Sequence, residues 1–243
     1  MDVRHRYAYS LVERFADARC RMLDVGSGEG YGALIVTEWV GAYFGVDVSS
    51  DAVSHATDRY ASPDIRFDHY AGATLPYADS SFDLITSFQV IEHVADVERY
   101  VRELRRVACP GARVLITTPN RKLRLRDGER PWNRYHLREY DAAGLRRALE
   151  GTFANVALFG IRGSEAMEEL ERTRLARARR FARLDRFGVR YALPESVDSA
   201  LRLFLRSRRR VVRAEFTGQS IADMWHTEED LDRALDLLAI VST

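Results

Sequence analysis

The stretch Met22-Leu23-Asp24-Val25-Gly26-Ser27-Gly28-Glu29-Gly30-Tyr31-Gly32 constrains what this chain can fold into more than any other. An apolar run enters a glycine-rich turn and continues as Ala33-Leu34-Ile35-Val36 with helical spacing. Strand, glycine loop and helix in that order are how an α/β fold presents a nucleotide-like ligand to backbone amides. Asp24 ends the strand and Glu29 sits in the loop, so a pyrophosphate would meet negative charge there. Tyr31 stands where the dinucleotide fingerprint requires its third glycine. The loop therefore suits a cationic ligand without phosphate.

The rest of the chain supports a doubly wound sheet. Residues 4–18 read as an amphipathic helix with Tyr7, Leu11, Val12 and Phe15 on one face. The run 42–48 is a second strand, and its acid, Asp47, is placed to accept both hydroxyls of a ribose. Ser49, Ser50 and Asp51 cap a helix to Tyr60, residues 65–67 form a third strand, and residues 81–88 a fourth. A helix over 96–107 stops at Cys109-Pro110-Gly111 before a fifth strand at 113–118. A capped helix from Asp141 and a sixth strand over 153–159 follow, and the best match for a seventh strand is 234–241. The prediction is a Rossmann-like, seven-stranded, mostly parallel sheet with helices on both faces and a helical insertion between strands 6 and 7. Its core is 1–160 with 232–243, and the insertion, 161–231, is expected to bind or cap the acceptor.

Composition narrows the function by exclusion. A net charge of +1 gives no global field for nucleic acid or membranes. Cys20 and Cys109 read as free thiols, without His or Cys neighbours at metal-ligand spacing. No apolar run reaches the ~20 residues of a membrane span, and the N-terminus has no signal-peptide pattern, so a cytoplasmic protein is expected. The basic amphipathic stretch 199–213 reads first as a solvated helix packed on the domain. Its functional alternative is a patch for a phosphorylated, lipid-linked or membrane-borne acceptor.

In sequence order, LDVGSGEGYG, FGVDVS, LPYADSSFDLITSFQVIEHV and RELRRVACPGARVLITTPN resemble the class I S-adenosylmethionine-dependent methyltransferases. The resemblance covers about residues 1–160 and implies S-adenosyl-L-methionine as cofactor, which fits the cationic, phosphate-free ligand read from the loop. It assigns cofactor contacts to Asp24, Gly26, Ser27, Gly28 and Gly30, to Asp47 on the ribose, to Val48 on the adenine, and to Phe88 and Gln89 near the sulfonium. An acid that many relatives place four residues before the Leu-Pro pair is Ala71 here, leaving Asp68 or a backbone group for the adenine amino group.

Thr118-Pro119-Asn120 and the later Asn133, His136 and Glu139 resemble the glycan-biosynthesis O-methyltransferases, which implies a small polar acceptor such as a sugar. Methyl transfer to a hydroxyl requires alignment and removal of its proton. His136 and His93 are the candidate bases, with Glu92 orienting one of them, because an imidazole titrates near neutrality. A divalent metal at these three residues is the alternative and is not favoured, since one carboxylate and two imidazoles satisfy magnesium poorly. The arrangement also resembles metal-dependent RNA terminal 2′-O-methyltransferases, but Gln89 replaces a carboxylate of theirs, which disfavours nucleic acid. A non-catalytic cofactor-binding module is the remaining alternative.

Overall fold

The computed structural model describes residues 3–126, 128–131, 133–184 and 220–243, with nothing stated for the side chains of 178–184. In chain order the elements are α1 (Val3–Ser10), β1 (Arg21–Val25), α2 (Ala33–Val36), β2 (Ala42–Asp47), α3 (Ser50–Tyr60), β3 (Ile65–His69), β4 (Phe82–Phe88), α4 (Val97–Val107), β5 (Ala108–Pro119), α5 (Arg121–Arg124), α6 (Ala142–Glu150), β6 (Asn155–Gly163), α7 (Glu165–Leu184), β7 (Met224–Thr227) and β8 (Asp236–Ser242). They form one eight-stranded sheet in the order β3-β2-β1-β4-β5-β8-β6-β7. The strands from β3 to β5 run parallel, whereas β8 is antiparallel to both β5 and β6.

Alternation along the strands builds the two faces. Leu23, Val25, Ile85, Val114 and Ile116 face α4 and α6, packing with Tyr100, Val101, Leu104, Leu145 and Leu149. Met22, Leu84, Phe88 and Leu115 turn the other way, toward Tyr9 of α1, Val36 of α2 and Ala56 of α3. The helices start where side chains satisfy their first amides: Ser49, Asp96 and Asp141 accept from Ala52, Arg99 and Gly144.

Four expectations change. The sheet has eight strands rather than seven, because β7 pairs antiparallel with β6 as an extra edge strand. The segment between β6 and β8 is therefore not wholly helical: it holds α7 and β7, while 185–219, including the basic stretch 199–213, lies outside the described residues. The N-terminal helix ends at Ser10 and tightens into a 3₁₀ turn over Leu11–Arg14. Strand β5 begins at Ala108, ahead of Pro110 and Gly111, with a register shift against β4 between Phe82 and Leu84. Proline is tolerated there because the irregularity interrupts the ladder.

Candidate active site

The glycine loop leaves β1 with Gly26, Gly28 and Gly30 all at positive φ, 79°, 53° and 79°. Only glycine takes that backbone without strain. Close packing adds a second reason at Gly26, where a Cβ would lie 2.3 Å from Val90 Cγ2, and at Gly30, where it would lie 2.7 Å from the Ala56 Cβ. Gly28 faces open space. The helix after the loop, α2, is a single turn, so the amides of the loop itself, rather than a long helix dipole, define the site.

Asp47 at the end of β2 closes the loop. Its Oδ2 accepts the Gly28 amide at 2.8 Å, and its Oδ1 accepts the Ser49 amide at 2.9 Å. Each oxygen retains a lone pair for a further donor. Ser27 Oγ is buried with no hydrogen-bond partner among the described residues. An orphaned hydroxyl, an open glycine and a carboxylate at one strand end fit a nucleoside-bearing ligand. Val48 is exposed beside them. Asp68 is committed elsewhere: Oδ1 accepts from the Arg66 guanidinium and Oδ2 from the Tyr77 hydroxyl.

Asp24 and Glu29 do not line the loop as its charges suggested. Asp24 is 1 % exposed and accepts hydroxyls from Tyr9 at 2.8 Å, Tyr43 at 2.6 Å and Thr86 at 2.7 Å. Its carboxylate ties α1, β2 and β4 together beneath the loop, and burial pushes its pKa up against the opposing pull of those hydroxyls. Glu29 points outward. Tyr9, Tyr43 and Thr86 are the partners that sequence reasoning missed, since no local pattern brings positions 9, 43 and 86 to one carboxylate.

At the end of β4, Phe88 is buried edge-on against Tyr9 with centroids 5.0 Å apart. Gln89 follows at φ 60°, and its amide donates to the Thr117 carbonyl at 2.9 Å. A non-glycine residue in this left-handed region costs about 1 kcal/mol or more. That turn sends the chain into the 3₁₀ segment Ile91–His93.

Residues 120–126 and 133–140 pack back against the turn after β4. Asn120 and Tyr140 bridge, the Arg121 amide donates to the Tyr140 carbonyl, and the Leu137 and Arg138 amides donate to the Glu92 carbonyl. These bonds bring His136 beside His93, with ring centroids 4.8 Å apart. His93 Nδ1 pairs with the Tyr135 carbonyl at 2.9 Å, and His136 Nδ1 with Glu139 Oε1 at 2.9 Å. Glu139 also meets the Arg124 guanidinium at 3.2 Å. Burial holds the His93 pKa below its usual value. Glu92 is 0 % exposed; Thr118 donates to its Oε2 at 3.0 Å, and burial raises its carboxyl to about 8. Sequence placed Glu92, His93 and His136 at one crevice, and one potential ligand atom from each does lie within 4.8 Å of the others. Glu139, three residues after His136, was visible only as part of a motif; its orienting role comes from the fold.

Sheet order, glycine loop and the carboxylate at the tip of β2 define a Rossmann-like α/β domain with its candidate ligand site at the strand ends. Residues 23–116 match the protein-family profile described as "Methyltransferase domain", and the chain is similar to S-adenosylmethionine-dependent methyltransferases. It is 38% identical over 147 residues, 60% of this chain and 56% of the other, to a probable S-adenosylmethionine-dependent methyltransferase of Mycolicibacterium smegmatis. A Mycobacterium tuberculosis protein of the same description is 35% identical over 159 residues, 65% of this chain and 57% of the other. The chain thus spans somewhat over half the length of the curated relatives it matches. Among solved structures, the [4+2]-cyclase SpnF superposes with a TM-score of 0.62 at 21% identity, over 98% of this chain and 81% of that one, which shows the shared fold. Among the described residues no helix is long and apolar enough to cross a membrane.

Proposed function

We propose that this protein methylates a hydroxyl of a small polar acceptor, a sugar or other glycan or natural-product intermediate, using S-adenosyl-L-methionine. The observation that carries the reading is the placement of Glu92, His93 and His136 one turn beyond the end of β4. Val90, whose side chain closes on Gly26 of the donor loop, is only two residues before Glu92. The segment that carries Glu92 and His93 therefore packs on the donor loop through Val90, and His136 lies beside it.

In this reading Gly26, Ser27, Gly28 and Gly30 receive the methionine and ribose end, Asp47 the ribose hydroxyls, Val48 the adenine, and Phe88 and Gln89 the sulfonium side. Bound there, the cofactor supplies an activated methyl group. The chain's own residues align the acceptor oxygen and take its proton. With His136 Nδ1 held by Glu139, its Nε2 is oriented to accept that proton. Asp24 serves the pocket from below, by fixing Tyr9 and Tyr43, rather than by touching the ligand. The segment 161–231 supplies acceptor specificity, including any phosphorylated or lipid-linked character, and the cytoplasm is the proposed location.

The test pairs calorimetry of cofactor binding with transfer of a labelled methyl group to panels of sugar hydroxyls, amines and short RNAs. Methylation of the hydroxyl panel that is lost in His136→Ala with cofactor binding retained supports the reading. Transfer only to amines or only to RNA overturns it, as does cofactor binding with no transfer to any panel.

A further inference from the structure

The Glu92–His93–His136 cluster carries more order than a proton acceptor needs. A backbone carbonyl and a carboxylate can only accept, so the pairings of His93 with Tyr135 and of His136 with Glu139 put the proton of each neutral ring on Nδ1. Both Nε2 atoms are then left with their lone pairs. Locking Nδ1–H onto a carbonyl or carboxylate is how proteins fix the tautomer and aim of metal-binding imidazoles. The third member has an unpaired oxygen as well: Glu92 is fully buried, its Oε2 is used by Thr118, and its Oε1 has no hydrogen-bond partner among the described residues.

We infer that Glu92, His93 and His136 form a binding site for one divalent transition-metal ion of the zinc or iron(II) type. The inference rests on the proposed function only for the ion's role, not for its binding. One potential ligand atom from each residue already lies within 4.8 Å of the others, and ligands each about 2.1 Å from a tetrahedral ion lie roughly 3.5 Å apart. A shift of about an ångström at the side chains closes that gap. Two imidazoles and one carboxylate suit zinc or another first-row ion, whereas magnesium and calcium demand mostly oxygen. Three protein ligands would leave a coordination position open. An acceptor hydroxyl taken there would be acidified as bound water is, its proton passing to solvent. Nε2 lone pairs given to an ion are not free to take a proton, so the base role proposed for His136 belongs to the metal-free protein, and in the metal-loaded protein the ion would activate the acceptor hydroxyl.

The test uses the full chain after dialysis against a chelator. Cobalt(II) is titrated as a spectroscopic probe by its visible absorption and zinc by calorimetry, for wild type, His93→Asn, His136→Asn and Glu139→Gln, with S-adenosylmethionine binding measured on every sample as the fold control. Expected are one equivalent of cobalt(II) in the wild type, loss of that signal in both histidine variants, and about 10- to 100-fold weaker binding in Glu139→Gln, whose ligands are intact but unaimed. Absence of saturable binding in the wild type overturns the inference, and so does equal binding by all four proteins. Should the histidine variants lose cofactor binding too, Glu139→Gln decides: unchanged metal affinity overturns the inference and weakened affinity supports it. Metal binding without methyl transfer would sink the proposed function alone, and chelator-insensitive transfer without metal binding would sink this inference alone.

Discussion

Asp47 Oδ2 accepts the amide of Gly28 at 2.8 Å, so the tip of β2 and the glycine loop after β1 are held as one unit before any ligand arrives. The bond spans 19 residues of sequence and gives the loop its shape as well as its charge. Asp47→Ala removes both that support and the proposed ribose contacts. With hydrogen bonds to charged groups contributing about 1.5–3 kcal/mol each, its S-adenosylmethionine affinity should fall by about 100-fold or more, measured by calorimetry. Affinity within a few fold of wild type would remove Asp47 from the donor site.

The three glycines should not respond alike. Gly28→Ala meets no neighbour and bears only the positive φ, a cost of about 1 kcal/mol. Gly26→Ala adds a clash with Val90, and urea denaturation should show a loss about 1–3 kcal/mol larger. Equal losses would mean that Val90 moves aside freely.

Asp24 is held by three buried hydroxyls, so Tyr9→Phe or Tyr43→Phe strips one hydrogen bond from a buried carboxylate. Each should destabilise the fold by about 1–3 kcal/mol in urea titrations. Tyr9→Phe keeps the ring that packs on Phe88 and beside Gly32, so its loss comes from the hydroxyl given to Asp24. Wild-type stability in both variants would show that Asp24 is satisfied in another way.

His136→Ala should lower kcat by about 10²–10⁴-fold while S-adenosylmethionine affinity stays within a few fold of wild type. Glu139→Gln should give a smaller loss in the same parameter. Steady-state kinetics beside calorimetry separates this from general damage, and wild-type turnover in His136→Ala would refute the assignment.

Glu103 on α4 accepts from Arg106 through both oxygens and from the Leu75 amide at 2.9 Å. The Arg106 guanidinium, chiefly through these hydrogen bonds, holds its carboxyl below the usual 4.5. A folded pKa below the unfolded one means stability present above about pH 4.5 and lost as pH falls through the lowered value. Glu103→Gln should therefore be less stable than wild type by about 1 kcal/mol near neutrality, with the difference shrinking toward pH 3 in chemical denaturation. A difference that does not change with pH would assign the effect to packing.

The sequence by itself determined the order of strands β1 to β6 and β8, the glycine loop, Asp47 at the tip of β2 and the two histidine-bearing segments. These are local signals: period-2 and period-3.6 patterning, capping residues, and glycines whose backbone no other residue takes cheaply. Only the tertiary structure decided the rest. Asp24 reads in the chain as a ligand-facing acid and becomes a buried tie, because Tyr9, Tyr43 and Thr86 arrive from three separate elements. Strand β7 carries four residues and too little pattern to announce itself; it exists because the edge of β6 offers it a ladder. Glu139 gains its role from a loop whose ends and middle are anchored by Asn120, Tyr140 and the Glu92 carbonyl. Patterning along a chain records which face of an element is buried, and it does not record which distant side chains share that burial.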